Sequence, residues 1–183
     1  VLVVSARSPY KTVKDLIDAA KAQPGRLTFG HAGIGSQTHL AAENFVNSAQ
    51  IDAVAVPYRG EGPGLAALIG GDTTFFVGNV AAAIGHISSG RLRALGVTSK
   101  REFPQLPGVP AIAKTLPGFE NTGWFGIVAP TGTPNEIIQK VYRDTKVALE
   151  SSRLKARFYV QGLAPVGNSP EEMGRAMKEE TQL

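Results

Sequence analysis

The sequence contains no cysteine. That removes disulfides, zinc–thiolate centres and thiol catalysis from consideration. It fits a bacterial cytoplasm and a periplasm equally well. Aromatic residues make up 7% of the 183 positions, with a single Trp. They form no interleaved platform for stacking bases. The net charge is +4, but its carriers are scattered: Arg7, Lys11, Lys14, Arg59, Arg91 and Arg93 stand alone, and Lys100-Arg101 is the one adjacent pair. Without a basic run, nucleic acid is not an expected partner. No apolar run is long enough to span a bilayer as a helix. The chain does not begin with Met and opens inside an apolar, strand-like stretch, Val1-Leu-Val-Val4. It is therefore expected to be a piece of a longer protein.

What is present is punctuation and periodicity. The 21 glycines and 12 prolines are spread along the chain as turn residues. Thr12 with Asp15 three positions on forms a capping box, and Val13, Leu16, Ile17 and Ala20 make one apolar face, so a helix is predicted over Val13–Ala22. Strands follow at 26–30, 51–56, 73–77 and 92–97, with 51–56 reading as a buried strand. Between them lie predicted helices over Gln37–Ala49, 65–69 and Val80–Ser88, the second preceded by a glycine-rich loop over 57–64. Residues 103–110 are proline-rich and irregular, 111–116 a short helix, and 119–128 an extended segment holding Trp124.

Thr133-Pro-Asn-Glu136 starts a further helix reaching Glu150, with Ile137, Ile138, Val141 and Leu149 as a core face. Helix over 153–161, strand over 163–166 and a last helix from Ser169-Pro-Glu-Glu172 to Leu183 complete the chain. Alternating strands and helices give an α/β fold: a mostly parallel sheet flanked by helices, with ligand loops at the carboxyl ends of its strands.

The most informative stretch is His31-Ala-Gly-Ile-Gly-Ser-Gln-Thr-His-Leu40. It leaves a strand and enters a helix through Gly33, Ile34 and Gly35, with Ser36 and Thr38 at the helix start. Glycines admit close approach to a ligand, and hydroxyls with free N–H groups at a helix start favour an anion. Tyr58 and Arg59 follow the next strand, and Gly78 and Asn79 the one after. Arg59 is either a carboxylate partner or a solvated loop charge. Trp124 is expected in the core.

Enzyme motifs fail one by one. Gly33-Ile-Gly35 lacks the third glycine of a dinucleotide fingerprint, since position 38 is Thr, and Asp52 opens a strand where a ribose-binding acid ends one. No phosphate-binding Lys-Ser or Lys-Thr loop is present. Ser36 and His39 lack the nucleophile-elbow pattern and an orienting acid, so Ser36 reads as a helix cap and His39 as a packing or loop-binding residue. His31, His39 and His86 match no metal spacing. No catalytic residue, cofactor or metal is implied.

The ordered motifs resemble a known family. Residues Phe29–Leu40, Val56-Pro-Tyr-Arg-Gly60, Leu68-Ile-Gly-Gly-Asp72, Gly90-Arg-Leu-Arg-Ala-Leu-Gly-Val-Thr98, Leu106-Pro-Gly-Val-Pro110 and Trp124–Pro134 resemble, in order, signatures of the Bug-type (TctC) periplasmic solute-binding receptors of tripartite tricarboxylate transporters. The resemblance implies a periplasmic-binding-protein-like, type II-like lobe in a two-lobed clamp. Residues 5–120 would be the second lobe, and 121–183 a crossover strand and helical segment of an incomplete first lobe. It implies a periplasmic, non-enzymatic protein that captures a small carboxylate for membrane permease subunits. Gly33, Ile34, Gly35, Ser36 and Thr38 would line the ligand, with Tyr58, Gly78 and Asn79 on adjacent loops. Gly78 is a departure, since relatives carry Asp there. With one side of the clamp, the chain is expected to bind ligand weakly or not at all, and its exposed tail to fold back or form a homodimer. The alternatives are an effector-binding domain of a bacterial transcription regulator and a nucleotide-dependent enzyme.

Overall fold

The computed structural model describes residues 1–180. Its elements run β1 (Leu2–Ser5), α1 (Val13–Ala22), β2 (Leu27–His31), α2 (Gln37–Ala49), β3 (Ala53–Pro57), α3 (Glu61–Gly70), β4 (Phe75–Val77), α4 (Val80–Ser88) and β5 (Leu92–Gly96), then α5 (Asn135–Glu150), α6 (Ser152–Val160) and α7 (Pro170–Glu180). A short 3₁₀ turn occupies Ile112–Lys114, within the predicted 111–116 helix. The residues divide into two compact units, Val1–Gly123 and Trp124 onward.

The first unit is built on one five-stranded sheet, ordered β3-β2-β4-β1-β5. β2 pairs in parallel with β3 and β4. β1 runs antiparallel to both β4 and β5, so β5 shares the direction of β2, β3 and β4. The sheet is mostly parallel, as the alternating pattern predicts, with β1 as the reversed strand near its centre.

Strand side chains alternate between faces, and each face has its own core. Leu2, Val4, Phe29, Phe75 and Val77 join α1 and α2 in one cluster. Val3, Phe76, Leu92 and Val97 join α3, α4 and the proline-rich segment in the other. α1 starts where its capping box predicts: Thr12 Oγ1 accepts from Asp15 N at 3.1 Å, and Asp15 Oδ2 accepts from Thr12 N at 3.0 Å.

Two expectations change here. The apolar run at 51–56 forms β3 at the sheet edge, with Val54 48% exposed, rather than a buried strand. Composition reports apolarity; a neighbour on one side only leaves half the strand open. α3 begins at Glu61, four residues earlier than predicted, because Gly60 serves as N-cap and Pro63 lies in the first turn, where no intrahelical N–H is needed.

The second unit contains α5, α6 and α7, and among its described residues none is buried. Trp124 is 48% exposed, not core; its Nε1 donates to Glu180 Oε2 at 2.5 Å. Ile137 and Val141 are exposed, and Ile138 and Leu149 half-buried, so the predicted core face has no core to enter. Thr133 does not cap α5. Its hydroxyl donates to Pro130 O at 2.8 Å, and Pro134 takes the N-cap position. Ser169 does cap α7, in a reciprocal box with Glu172 (3.2 and 2.8 Å). The predicted continuation of that helix to Leu183 lies outside the described residues.

Neither 119–128 nor 163–166 forms a strand. Asn121 N still bonds Thr98 O at 2.9 Å, but no neighbouring strand supplies a ladder for either segment. Among the described residues no helix is long and apolar enough to cross a membrane.

Candidate functional site

The parallel strands β2, β3 and β4 place three loops at one sheet edge: residues 32–36, 58–60 and 78–79. β2 and β4 are neighbours, yet β2 leads into α2 on one face and β4 into α4 on the other. Where adjacent strands send their connections to opposite faces, a crevice opens outside their carboxyl ends, and α/β proteins bind ligands there.

The loop after β2 is tied down from within. Ala32 N donates to Thr38 Oγ1 at 2.9 Å, Ser36 N to Gly33 O at 3.1 Å, and His39 N to Ser36 Oγ at 3.3 Å. Gly33 N donates to His31 Nδ1 at 3.3 Å and Gly35 N to His39 Nδ1 at 3.2 Å. Gly33 and Gly35 have φ of +127° and +74°, values that favour glycine. The N–H groups of Ile34, Gln37 and Thr38 have no partner among the described residues. Two of them open α2, where the helix dipole favours negative charge. Ile34 stands 85% exposed at the loop tip.

Thr38 is buried, and its hydroxyl is engaged by Ala32 N and lies 3.1 Å from Ser36 Oγ. Ser36 is the α2 N-cap and His39 a loop ligand, as the sequence suggests. Tyr58 N donates to His31 O at 2.8 Å, which brings the second loop against the first. Arg59 is exposed and makes no ion pair or hydrogen bond among the described residues. His86 lies apart on α4; His31 and His39 meet, with ring centroids 4.2 Å apart.

The third loop depends on a residue that sequence reasoning missed. Glu61, in the first turn of α3, accepts from Asn79 N at 3.0 Å through Oε2 and from the Asn79 side-chain amide through Oε1. A lone Glu after Arg59-Gly60 carries no sequence signal for this bond. Gly78 is explained by the same contact. A Cβ there would lie 2.9 Å from Glu61 Oε2 and 2.9 Å from the Phe76 ring. Gly30 and Gly64 crowd the same ring, at 3.0 and 2.6 Å. Three glycines from three segments thus make room for Phe76 beneath the site.

The site offers backbone N–H donors, hydroxyls and an exposed isoleucine. It holds no nucleophile oriented by a base and an acid. Backbone N–H groups at a helix start are a setting that favours negative charge.

Fold and site together define an α/β ligand-binding lobe of the periplasmic-binding-protein kind. The whole of this lobe and its tail, residues 1–182, matches the model of the tripartite tricarboxylate transporter family receptor, TctC, and the chain belongs to that family. Its members are solute-binding receptors and not enzymes, so the regulator and nucleotide-enzyme alternatives give way. A relative from Pseudomonas sp. (strain P51), the UPF0065 protein in the tcbD-tcbE intergenic region, is 36% identical over 184 residues, covering 100% of this chain and 55% of its own length. The chain therefore spans about half the length of that relative. An R. palustris protein solved with adipate superimposes with a TM-score of 0.93 at 33% identity, over 98% of this chain and 60% of its own. MatC from Rhodopseudomonas palustris with bound malate gives a TM-score of 0.92 at 26% identity, over 99% and 63%.

Proposed function

We propose that this chain supplies one side of the ligand clamp of a periplasmic receptor, which captures a small carboxylate and delivers it to a membrane permease. The observation that carries the proposal is the α2 entry: the unpartnered N–H groups of Ile34, Gln37 and Thr38 stand at a helix start, in a loop otherwise saturated with internal hydrogen bonds. A carboxylate satisfies such donors without competing for the bonds that shape the loop. The adipate and malate bound to two neighbours of this fold are ligands of that class. In this reading, residues 5–120 form the second lobe, with Gly33, Ile34, Gly35, Ser36 and Thr38 lining the ligand and Tyr58, Gly78 and Asn79 beside it. Residues 121–183 belong to the other lobe, and their exposed apolar side chains are where a second copy would pair.

The test is an amide NMR titration of the 183-residue chain with adipate, and with 1,6-hexanediol as the uncharged control. Saturable shifts centred on Ile34, Gln37 and Thr38 with adipate alone are the expected result. Equal responses to both compounds would sink the carboxylate reading.

A further inference from the structure

The two histidines at the ligand loop have a role that helix capping and core packing do not explain. His31 ends β2 and is 1% exposed; His39 lies one turn into α2. Each offers Nδ1 to a glycine N–H of the loop, Gly33 at 3.3 Å and Gly35 at 3.2 Å. A backbone N–H is only ever a donor. Both Nδ1 atoms must therefore be unprotonated acceptors, which places each ring's proton on Nε2. For His39 that tautomer puts the proton on the nitrogen that lies 3.4 Å from Glu43 Oε1.

These two bonds hold the glycines at either end of Ile34. With them made, the Ile34 N–H is left over and the loop feeds the open Gln37 and Thr38 N–H groups. We propose that His31 and His39 are positioning residues of the ligand loop: as neutral Nε2–H imidazoles they hold Gly33 and Gly35, and protonation of either ring releases the loop and weakens anion capture. The last clause rests on the carboxylate reading above; the hydrogen-bond assignment does not.

The rings lie 4.2 Å apart. Phe29 of β2 packs near both, at centroid distances of 6.2 and 6.5 Å. From the β3–α3 loop, Tyr58 touches His31 through its backbone N–H to the His31 carbonyl. Among the described residues Glu43 of α2 is the one carboxylate in ion-pair range of either ring. A proton added at Nδ1 turns an acceptor into a donor facing another donor, so the bond is lost rather than weakened.

The experiment uses the 183-residue chain without ligand. Imidazole ¹⁵N spectra report the tautomers, and the hydrogen-exchange protection of the Gly33 and Gly35 amides reports the loop. Both rings are expected as Nε2–H at pH 8. His39→Phe lowers Gly35 protection about fivefold, the worth of one hydrogen bond, and His39→Asn, whose Oδ1 can replace Nδ1, restores it without pH dependence. A ring found as Nδ1–H, or Gly35 protection unchanged in His39→Phe, would overturn the proposal. A second arm repeats the adipate titration at pH 8 and pH 5. Binding that weakens at pH 5 in the unsubstituted chain but not in the doubly substituted His31→Asn/His39→Asn variant supports the release step, and equal pH dependence in both refutes it. Equal responses to adipate and 1,6-hexanediol reject the carboxylate reading and the release step with it, while the exchange data still decide the histidines' role.

Discussion

Helices α1 and α5 carry similar amphipathic patterns, yet one is packed and the other is not. α1 buries Val13, Leu16, Ile17 and Ala20 against the sheet. α5 presents Ile137, Ile138 and Val141 and buries none of them. The same contrast separates the two units: Val1–Gly123 has a closed core on both sheet faces, and the described residues from Trp124 onward have none. Amphipathicity states which face of a helix wants burial. Whether burial occurs depends on a partner surface that the helix does not encode.

The largest test of this contrast is a matched pair of truncations. Phe45 is fully buried, with edge-on contacts to Phe75 and Phe119 at centroid distances of 5.8 and 6.2 Å. Phe45→Ala is expected to cost about 3–5 kcal/mol in urea unfolding, a core-sized loss. Ile137→Ala is expected to stay within about 0.5 kcal/mol, as an exposed substitution does. A comparable cost at both positions would erase the distinction between the units.

A smaller effect probes the packing under the ligand loops. Gly64→Ala places a methyl 2.6 Å from the Phe76 ring. The expected loss is about 1–3 kcal/mol, typical of overpacking. Gly62→Ala, two positions earlier with open space around it, should not destabilise comparably in the same thermal melt.

The smallest effect concerns a helix start. Thr12→Ala removes the α1 cap at about 1 kcal/mol. The backbone N–H of Lys11 and the hydroxyl of Thr12 hold the Asp15 carboxyl below its ordinary range. A lowered folded pKa gives stability that is present above the unfolded value of 3.8 and lost as pH falls through the folded one. Asp15→Asn should therefore lower stability at neutral pH, flatten part of the acid limb of a stability–pH curve and leave its most acidic end nearly unchanged.

Much of the first unit was legible in the sequence. The bounds of α1, α2 and α4 coincide with those expected from caps and periodicity, because those signals are local. The errors share one cause. An edge strand such as β3, a helix face such as that of α5, and the extended segment around Trp124 are settled by what lies beside them, and no pattern within the segment reports its neighbour. The site divides the same way. The β2–α2 loop was visible through its glycines and hydroxyls, whereas the Glu61–Asn79 bond joins residues 18 positions apart with no spacing rule to reveal it.

The ring of Phe76 sets the order in which this site can evolve. Gly30, Gly64 and Gly78 are each kept small by that one side chain. A larger residue at 78 needs the Phe76 ring and the Glu61 carboxylate to give way. The mutational path to a new specificity here passes through the floor of the site before it touches the walls, and variant libraries that hold Phe76 constant will sample only part of it.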